Sequence, residues 1–275
     1  MIIDVHCHNF PDAIATRAMA GMCRQTEGIL WAVGDGTVAN HLDHLDLAGV
    51  DKAVVCPIAT KPEQWEVILR RALAIRSGEL GERAQRKFIP FASVHPLDPD
   101  FADHLEAIAD AGIKGVKFHP YYQDFSLADP KCWPMFRKIA ELGLVVQCHA
   151  GEDVSWRDLR GMCGPEDIAL LLRNVPDLGP RFIAAHLGGV GGYPAHATDA
   201  LLDTGCYIDT SVLHHNWFRD EEMRVLRSWP TDRILFGTDF PWTHYPEAIR
   251  HVKSIRESAD LDALFGGNAC RLLGI

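Results

Sequence analysis

Residues 101–119, FADHLEAIADAGIKGVKFH, change their period in mid-course. Over Phe101–Ala111 the apolar side chains recur at helical spacing with charged residues between them. Gly112 follows, where a helix ends by stepping into the left-handed conformation. Ile113–His119 then reads as a strand. The same helix–Gly–strand step returns at Ala48-Gly49-Val50 and Leu142-Gly143-Leu144. Working outward, strands are predicted at Met1–His8, Lys52–Ile58, Lys87–His95, Leu144–His149, Arg181–His186, Cys206–Thr210 and Arg233–Thr238. Helical spacing falls between them at Val38–Ala48, Pro62–Arg76, Cys132–Glu141, Pro165–Arg173, His196–Asp203, Asp220–Ser228 and Pro246–Glu257. Eight strands alternating with eight helices, with no Ser/Gly linker, predict an α/β fold: a closed (β/α)8 TIM barrel, residues 1–275 as a single domain. The strand count and the absence of a Gly-rich turn after the first strand disfavour a doubly wound open sheet. The longest connection, residues 9–37, holds Gly28, Gly34 and Gly36 and is a lid candidate.

Composition narrows the function classes. The 275 residues carry 27 Lys and Arg against 37 Asp and Glu, a formal charge of −10. Nucleic acid and anionic membranes need a cationic face, so neither is expected as a partner. The N-terminal MIIDVHCH shows neither the basic nor the long apolar region of a secretory signal. The 8 Cys form no C-x-x-C pair, which excludes zinc-finger and thioredoxin-type motifs. Cys56 in AVVCPI and Cys148 in LVVQCH read as buried reduced thiols, so a cytoplasmic protein is expected.

In barrels of this kind the active site is built at the C-terminal ends of the strands. Applied here, that rule collects His6 and His8, His95, Lys117 and His119, His149, His186 and Asp239 at one rim. His-x-His alone is a weak signal, since two exposed histidines on one strand face give the same pattern. Residues i and i+2 of a strand do point the same way, so His6 and His8 can close on one ion. Imidazoles and carboxylate converging from separate strands then predict a metal site.

At these positions the sequence resembles the amidohydrolase superfamily. The similarity rests on Asp4-Val-His-Cys-His8, Ala48-Gly-Val-Asp-Lys-Ala-Val-Val55, Gly115-Val-Lys-Phe-His-Pro120, His149-Ala-Gly151, His186-Leu-Gly-Gly189, Gly237-Thr-Asp-Phe-Pro-Trp242 and Gly266-Gly-Asn-Ala-Cys-Arg-Leu-Leu-Gly274. The nearest branch is the amidohydrolase 2 group, which includes aminocarboxymuconate-semialdehyde decarboxylase. The resemblance implies His6, His8, His149 and Asp239 as ligands of one divalent transition metal. Zn2+ is the first expectation, with Mn2+ or Fe2+ as alternatives. It also implies catalytic roles for His186, beside the substrate, and for Asp239. Such an ion lowers the pKa of its water from about 15.7 to near 7. Asp239 could accept a proton, and His186 could polarise a carbonyl.

Lys117 keeps three readings: a carboxylated bridge between two metals, a point charge for a substrate carboxylate, or a structural salt bridge. His119 and His95 each precede proline, which suits a strand exit whether or not they face the pocket. Asp209 serves equally as a partner for an imidazole or as a cap of the turn through Thr210 and Ser211. Arg157 and Trp242 suit a flat carboxylated substrate, with Trp156 and Arg160 beside Arg157. His214-His215 and the pair His41/His44 read as solvated. The expected function is metal-dependent hydrolysis of a C–N or C–O bond in a small organic acid, amide or lactone. The alternative is a non-oxidative decarboxylase of a carboxylated aromatic or muconate-like substrate, and a homodimer is compatible with the scaffold.

Overall fold

The computed structural model describes residues 1–156, 161–190, 192–211 and 219–275. Its strands are β1 (Ile3–Cys7), β2 (Lys52–Val55), β3 (Phe88–Pro90), β4 (Gly115–Phe118), β5 (Val145–Cys148), β6 (Phe182–Ala184), β7 (Tyr207–Asp209) and β8 (Ile234–Leu235). All are parallel and pair in chain order, β1 to β3 and β4 to β8. Two bridges join the pieces, Ala92 with Val116 and Cys7 with Phe240. At the second seam Val5 N donates to Phe236 O at 2.9 Å. The result is the (β/α)8 barrel, whose closure leaves no sheet edge.

The chain returns between strands through helices α1 (Asp12–Gln25), α2 (Val38–Ala48), α3 (Trp65–Ser77), α4 (Glu82–Lys87), α5 (Phe101–Asp110), α6 (Pro120–Gln123), α7 (Trp133–Glu141), α8 (Pro165–Asn174), α9 (Ala185–Gly189), α10 (Arg219–Ser228), α11 (Tyr245–Ile255), α12 (Ser258–Asp262) and α13 (Asn268–Leu273). The helical spacing at His196–Asp203 becomes a 3-10 helix, Ala195–Thr204. The expected loop 9–37 needs a larger correction, because 14 of its residues form α1, with Ala15 and Met19 buried. Its run of Ala, Met and Arg consists of good helix formers, a signal that the flanking glycines obscured. Among the described residues, no helix is long and apolar enough to cross a membrane.

Inside the barrel, Ile3, Val5, Val54, Phe91, Val145, Ile183, Tyr207 and Leu235 form an apolar floor, closed from below by Ala269 and Leu273 of α13. The larger core lies between strands and helices. β1 carries an irregularity that matters for the site. Asp4 pairs with Ala53 and Cys7 with Val55, so β1 spends one residue more than β2 over this interval. This bulge lets Val5 belong to the floor while its neighbour His6 also turns inward. Asp4 meanwhile faces β8, where it accepts from Thr238 N at 3.1 Å and Thr238 Oγ1 at 2.6 Å.

His41 is not on a solvated face as its spacing with His44 suggested. It is fully buried and stacks on Phe240 at 4.4 Å. Asn9 Nδ2 donates to its Nδ1 at 3.1 Å, so its Nε2–H faces the Tyr245 hydroxyl at 2.8 Å. Tyr245 in turn hydrogen-bonds Asp4. Burial pushes His41 from 6.5 down to about 3, with His44 and His8 adding in the same direction. The folded protein therefore refuses a proton that the unfolded chain accepts, and stability is lost as pH falls below 6.5. Between pH 7 and pH 5 that one group costs about 2 kcal/mol. Urea unfolding at the two pH values should show wild type losing about that much more than His41→Phe; equal losses would reject the assignment.

Candidate metal centre

The strands deliver side chains to the rim in two layers. The deeper layer above the apolar floor holds His6, Lys117, Gln147 and Asp209, all with at most 1% of their surface exposed. Asp209 organises it. Its Oδ2 receives His6 Nδ1–H at 3.0 Å and Gln147 Nε2 at 2.6 Å. Its Oδ1 receives the backbone N–H groups of His186 at 3.1 Å and Ser211 at 3.0 Å. Both readings of Asp209, imidazole partner and turn cap, hold at once. Burial alone would raise its carboxyl, but His6, His186 and Ser211 hold it well below the usual range.

The upper layer holds His8, His119, His149, His186 and Asp239. His8 donates from Nδ1 to the Cys56 carbonyl at 2.7 Å, as His6 does to Asp209. In both rings the second nitrogen, Nε2, is thereby left with its lone pair outward. Both Nε2 atoms face Asp239 Oδ1, at 3.1 Å from His8 and 3.4 Å from His6. Asp239 is tied to β1 by its own N–H, which donates to His6 O at 2.8 Å. Burial works against its charge, but a proton on His6, His8 or His186 would hold the carboxyl well below the usual range. Asp239 and His186 also adopt left-handed backbone, with φ of 56° and 53°, a strained conformation away from glycine that concentrates at functional sites.

His186 receives or donates at Nδ1 to Ser211 Oγ at 2.8 Å, and its Nε2 lies 3.0 Å from His149 Nδ1. His149 stacks on His119 with centroids 4.1 Å apart, and His119 Nε2 meets Asp153 Oδ2 at 3.2 Å. Burial is the largest influence on His6, His119, His149 and His186, and it lowers all four. For His6 the value falls to about 4, with the Lys117 charge second. Neutral imidazoles are the form that binds metal.

Donor atoms of His6, His186 and Asp239 lie within 4.8 Å of one another, and those of His119, His149 and Asp153 form a second such group. His149 Nε2 is buried with no hydrogen-bond partner among the described residues. An unpaired buried imidazole nitrogen, together with the His6 and His8 Nε2 atoms gathered at the Asp239 carboxylate, is a donor set of the kind that holds a divalent ion. Of the expected ligand set, His6, His8 and Asp239 meet directly, whereas His149 reaches them through His186. The second group suits an ion poorly, because the His119 and His149 rings are stacked 14° from parallel and their lone pairs run in offset planes.

Lys117 departs from its expected surroundings. It is fully buried, and its Nζ lies 2.9 Å from His6 Nε2. Among the described residues no carboxylate comes within ion-pair distance of it. It sits two residues deeper in β4 than His119 and is absent from the wall of the cavity above, so a substrate there meets His6 rather than Lys117. Trp242 and His119 do line that cavity. His95 instead caps its own turn, accepting from Leu97 N at 3.1 Å. Arg157, Arg160, His214 and His215 lie outside the described residues. Sequence reasoning passed over Gln147 and Asp153, and took Ser211 only as part of a turn. Gln147 had a signal, as a polar residue two before His149 on the same inward face.

A C-terminal rim of imidazoles and carboxylates on a (β/α)8 barrel is a candidate metal centre. Residues 3–275 match the profile of the amidohydrolase family, and the chain belongs to that family, in its amidohydrolase 2 branch. A comparison with curated proteins finds no match. Among solved structures, an uncharacterised TIM-barrel protein of Bordetella bronchiseptica is 18% identical, with a TM-score of 0.74 over 99% of this chain and 98% of that one. The 5-carboxyvanillate decarboxylase of Novosphingobium aromaticivorans, complexed with manganese and a nitrobenzoic acid, is 16% identical with a TM-score of 0.70 over 100% and 96%. A probable 2-pyrone-4,6-dicarboxylic acid hydrolase of Acinetobacter baumannii is 16% identical with a TM-score of 0.69 over 100% and 99%. At these identities the likeness is one of fold.

Two measurements follow from the geometry. Asp209→Asn keeps size but removes the charge behind His6, and metal affinity should fall about 10–100-fold, the usual worth of such a partner. Competition with a chromophoric chelator reads this, and an unchanged affinity would show that Asp209 only shapes the turn. Metal analysis should find about one ion per chain in both wild type and Lys117→Met. A second equivalent that disappears with Lys117 would restore the two-metal reading.

Proposed function

We propose that this chain is a metal-dependent carboxy-lyase that removes CO2 from a small planar or unsaturated organic acid. The observation that carries the reading is the abrupt change of character within one cavity of about 1280 Å3. Its floor is His6, His8, His149, His186 and Asp239, and its walls are mostly apolar, with Ile68, Val190 and Trp242 among them and Arg71, Glu79 and Glu152 set between. A carboxylate brought from water against such walls loses hydration, and departure of CO2 relieves that cost. The fold likeness to a decarboxylase of a carboxylated aromatic ring supports it.

His6, His8 and Asp239 would hold the ion, with His149 completing the set. The imidazole-rich donors suit Zn2+, with Mn2+ or Fe2+ as alternatives. When bound, the ion supplies Lewis-acid polarisation to oxygens that face it. The remaining work falls to the chain. Trp242 offers an aromatic face to a flat substrate. His119, fixed by Asp153 and stacked on His149, closes one side of the cavity. When the C–C bond breaks, its electron pair stays on the substrate carbon, and a proton must arrive there as CO2 leaves. His186, which lines the cavity floor, would supply it once its ring turns from His149 toward the substrate.

A hydrolytic reading is favoured by one feature, the Asp239 carboxylate beside both His6 and His8, where it can take the proton of an attacking water. The fold likeness to a probable 2-pyrone-4,6-dicarboxylic acid hydrolase is in keeping with it. Incubating the metal-loaded protein in D2O with carboxylated aromatics and lactones separates the two. The carboxy-lyase releases CO2 and leaves deuterium at the vacated carbon; acid production without CO2 would establish the hydrolase instead. In whichever assay responds, His186→Asn should retain metal and lose kcat by about 10²–10⁴. Loss of the metal from that variant would make His186 a ligand.

A further inference from the structure

The cavity extends well beyond the ionisable floor. Its volume of about 1280 Å3 exceeds the ~300–1,000 Å3 that takes a drug-sized ligand, and a single-ring acid would fill a small part of it. The outer part runs between α1 and α3. Ile14 and Met22 of α1, with Leu30 beyond its end, line one side, and Val67 and Ile68 of α3, with Leu80 beyond its end, the other. Ile14, Val67 and Leu80 are 38%, 57% and 37% exposed. Apolar side chains left in contact with water along a cleft mark a surface that another apolar group covers.

Two cations interrupt this surface, Arg70 and Arg71, and only the second is withdrawn from solvent. Arg71 of α3 lines the same cavity and is half-buried. Its Nη2 donates to Asn9 Oδ1 at 2.6 Å, which places the guanidinium one residue along the chain from His8. Among the described residues no carboxylate lies within ion-pair distance of it; Asp12, the acid whose charge it feels, is exposed. Its neighbour Arg70 is different, pairing with Glu66 at 2.9 Å in solvent. A guanidinium withdrawn from water beside a neutral amide keeps donors and charge to offer, and a carboxylate matches its planar fork.

We propose that the substrate of this site is an amphipathic organic acid, with an alkyl or extended aromatic arm lying between α1 and α3 and an anionic group received by Arg71. The inference rests on the reading of the site as one for carboxylated molecules and names what else those molecules carry. Arg71 would act as a binding residue, selecting acids over neutral analogues. The α1–α3 cleft would select length.

Calorimetric titration with inert probes tests this without turnover. On the metal-loaded protein, 4-hexylbenzoate should bind at least about tenfold more tightly than benzoate, since each buried methylene is worth about fourfold. Arg71→Gln should weaken 4-hexylbenzoate by about ten- to a hundredfold and leave the neutral 4-hexylbenzyl alcohol unchanged, with Arg71→Lys falling between. Val67→Ser combined with Leu80→Ser, at two exposed positions that do not threaten folding, should remove most of the hexyl advantage. Equal affinity for the two benzoates, or an equal loss of acid and alcohol in Arg71→Gln, would overturn the proposal. So would loss of the acid preference when the metal is stripped, because the anion would then belong to the ion. Tight binding of 4-hexylbenzoate by a protein that consumes no acid would instead uphold this inference and refute the carboxy-lyase reading.

Discussion

The extra residue that β1 spends between Asp4 and Cys7 decides where everything else in the site stands. In a regular strand the parity that places Ile3 and Val5 on the barrel floor would turn His6 and His8 toward the helices. The bulge changes parity once, so the same strand supplies the floor below and two imidazoles above it. It also leaves Asp4 on the other face, bound to Thr238 next to Asp239. β1 and β8 are thus joined on both faces, and the seam that closes the barrel holds the candidate ligands in place.

Burying so many polar groups in one barrel requires that they satisfy one another. Asp209 does most of this by receiving His6, Gln147, His186 and Ser211. A second chain of hydrogen bonds runs from Arg71 through Asn9, His41 and Tyr245 to Asp4, entirely outside the layer of ligands. Burial in these surroundings raises the Asp4 carboxyl to about 7, against the opposing hydrogen bonds of Thr238 and the His6 amide. His6, His119, His149 and His186 are pushed toward the neutral form that a metal accepts, and the fold keeps them there by desolvation more than by specific partners.

Much was legible because strand periodicity and the strand-end rule are local. All eight strands lie where the change of period put them, and His6, His8, His149, His186 and Asp239 converge because each ends a strand of one closed barrel. The misreadings have equally physical causes. His41 and His44 share a helix with Asp43 and Asp46, which looks solvated until Phe240 and Tyr245, some 200 residues away in sequence, bury His41 and Phe240 half-covers His44. Residues 9–37 contain enough glycine to resemble a loop, yet the stretch between the glycines and β1 has the composition of a helix. Lys117 ends a strand by sequence, but it lies a layer below the rim, since His119 is the last inward residue of that run.

The chain by itself determined the alternation of strand and helix, hence the barrel, and the residue types at its rim, hence a candidate metal centre; both depend on spacing along a few neighbouring residues. Tertiary structure alone decided the tautomers of His6 and His8, because their partners Asp209 and Cys56 come from distant strands. It alone set Lys117 against His6, and it alone turned α1 and α3 into a long apolar cleft with Arg71 inside. Those features arise where surfaces of separate elements meet, and no periodicity within either element encodes the distance between them.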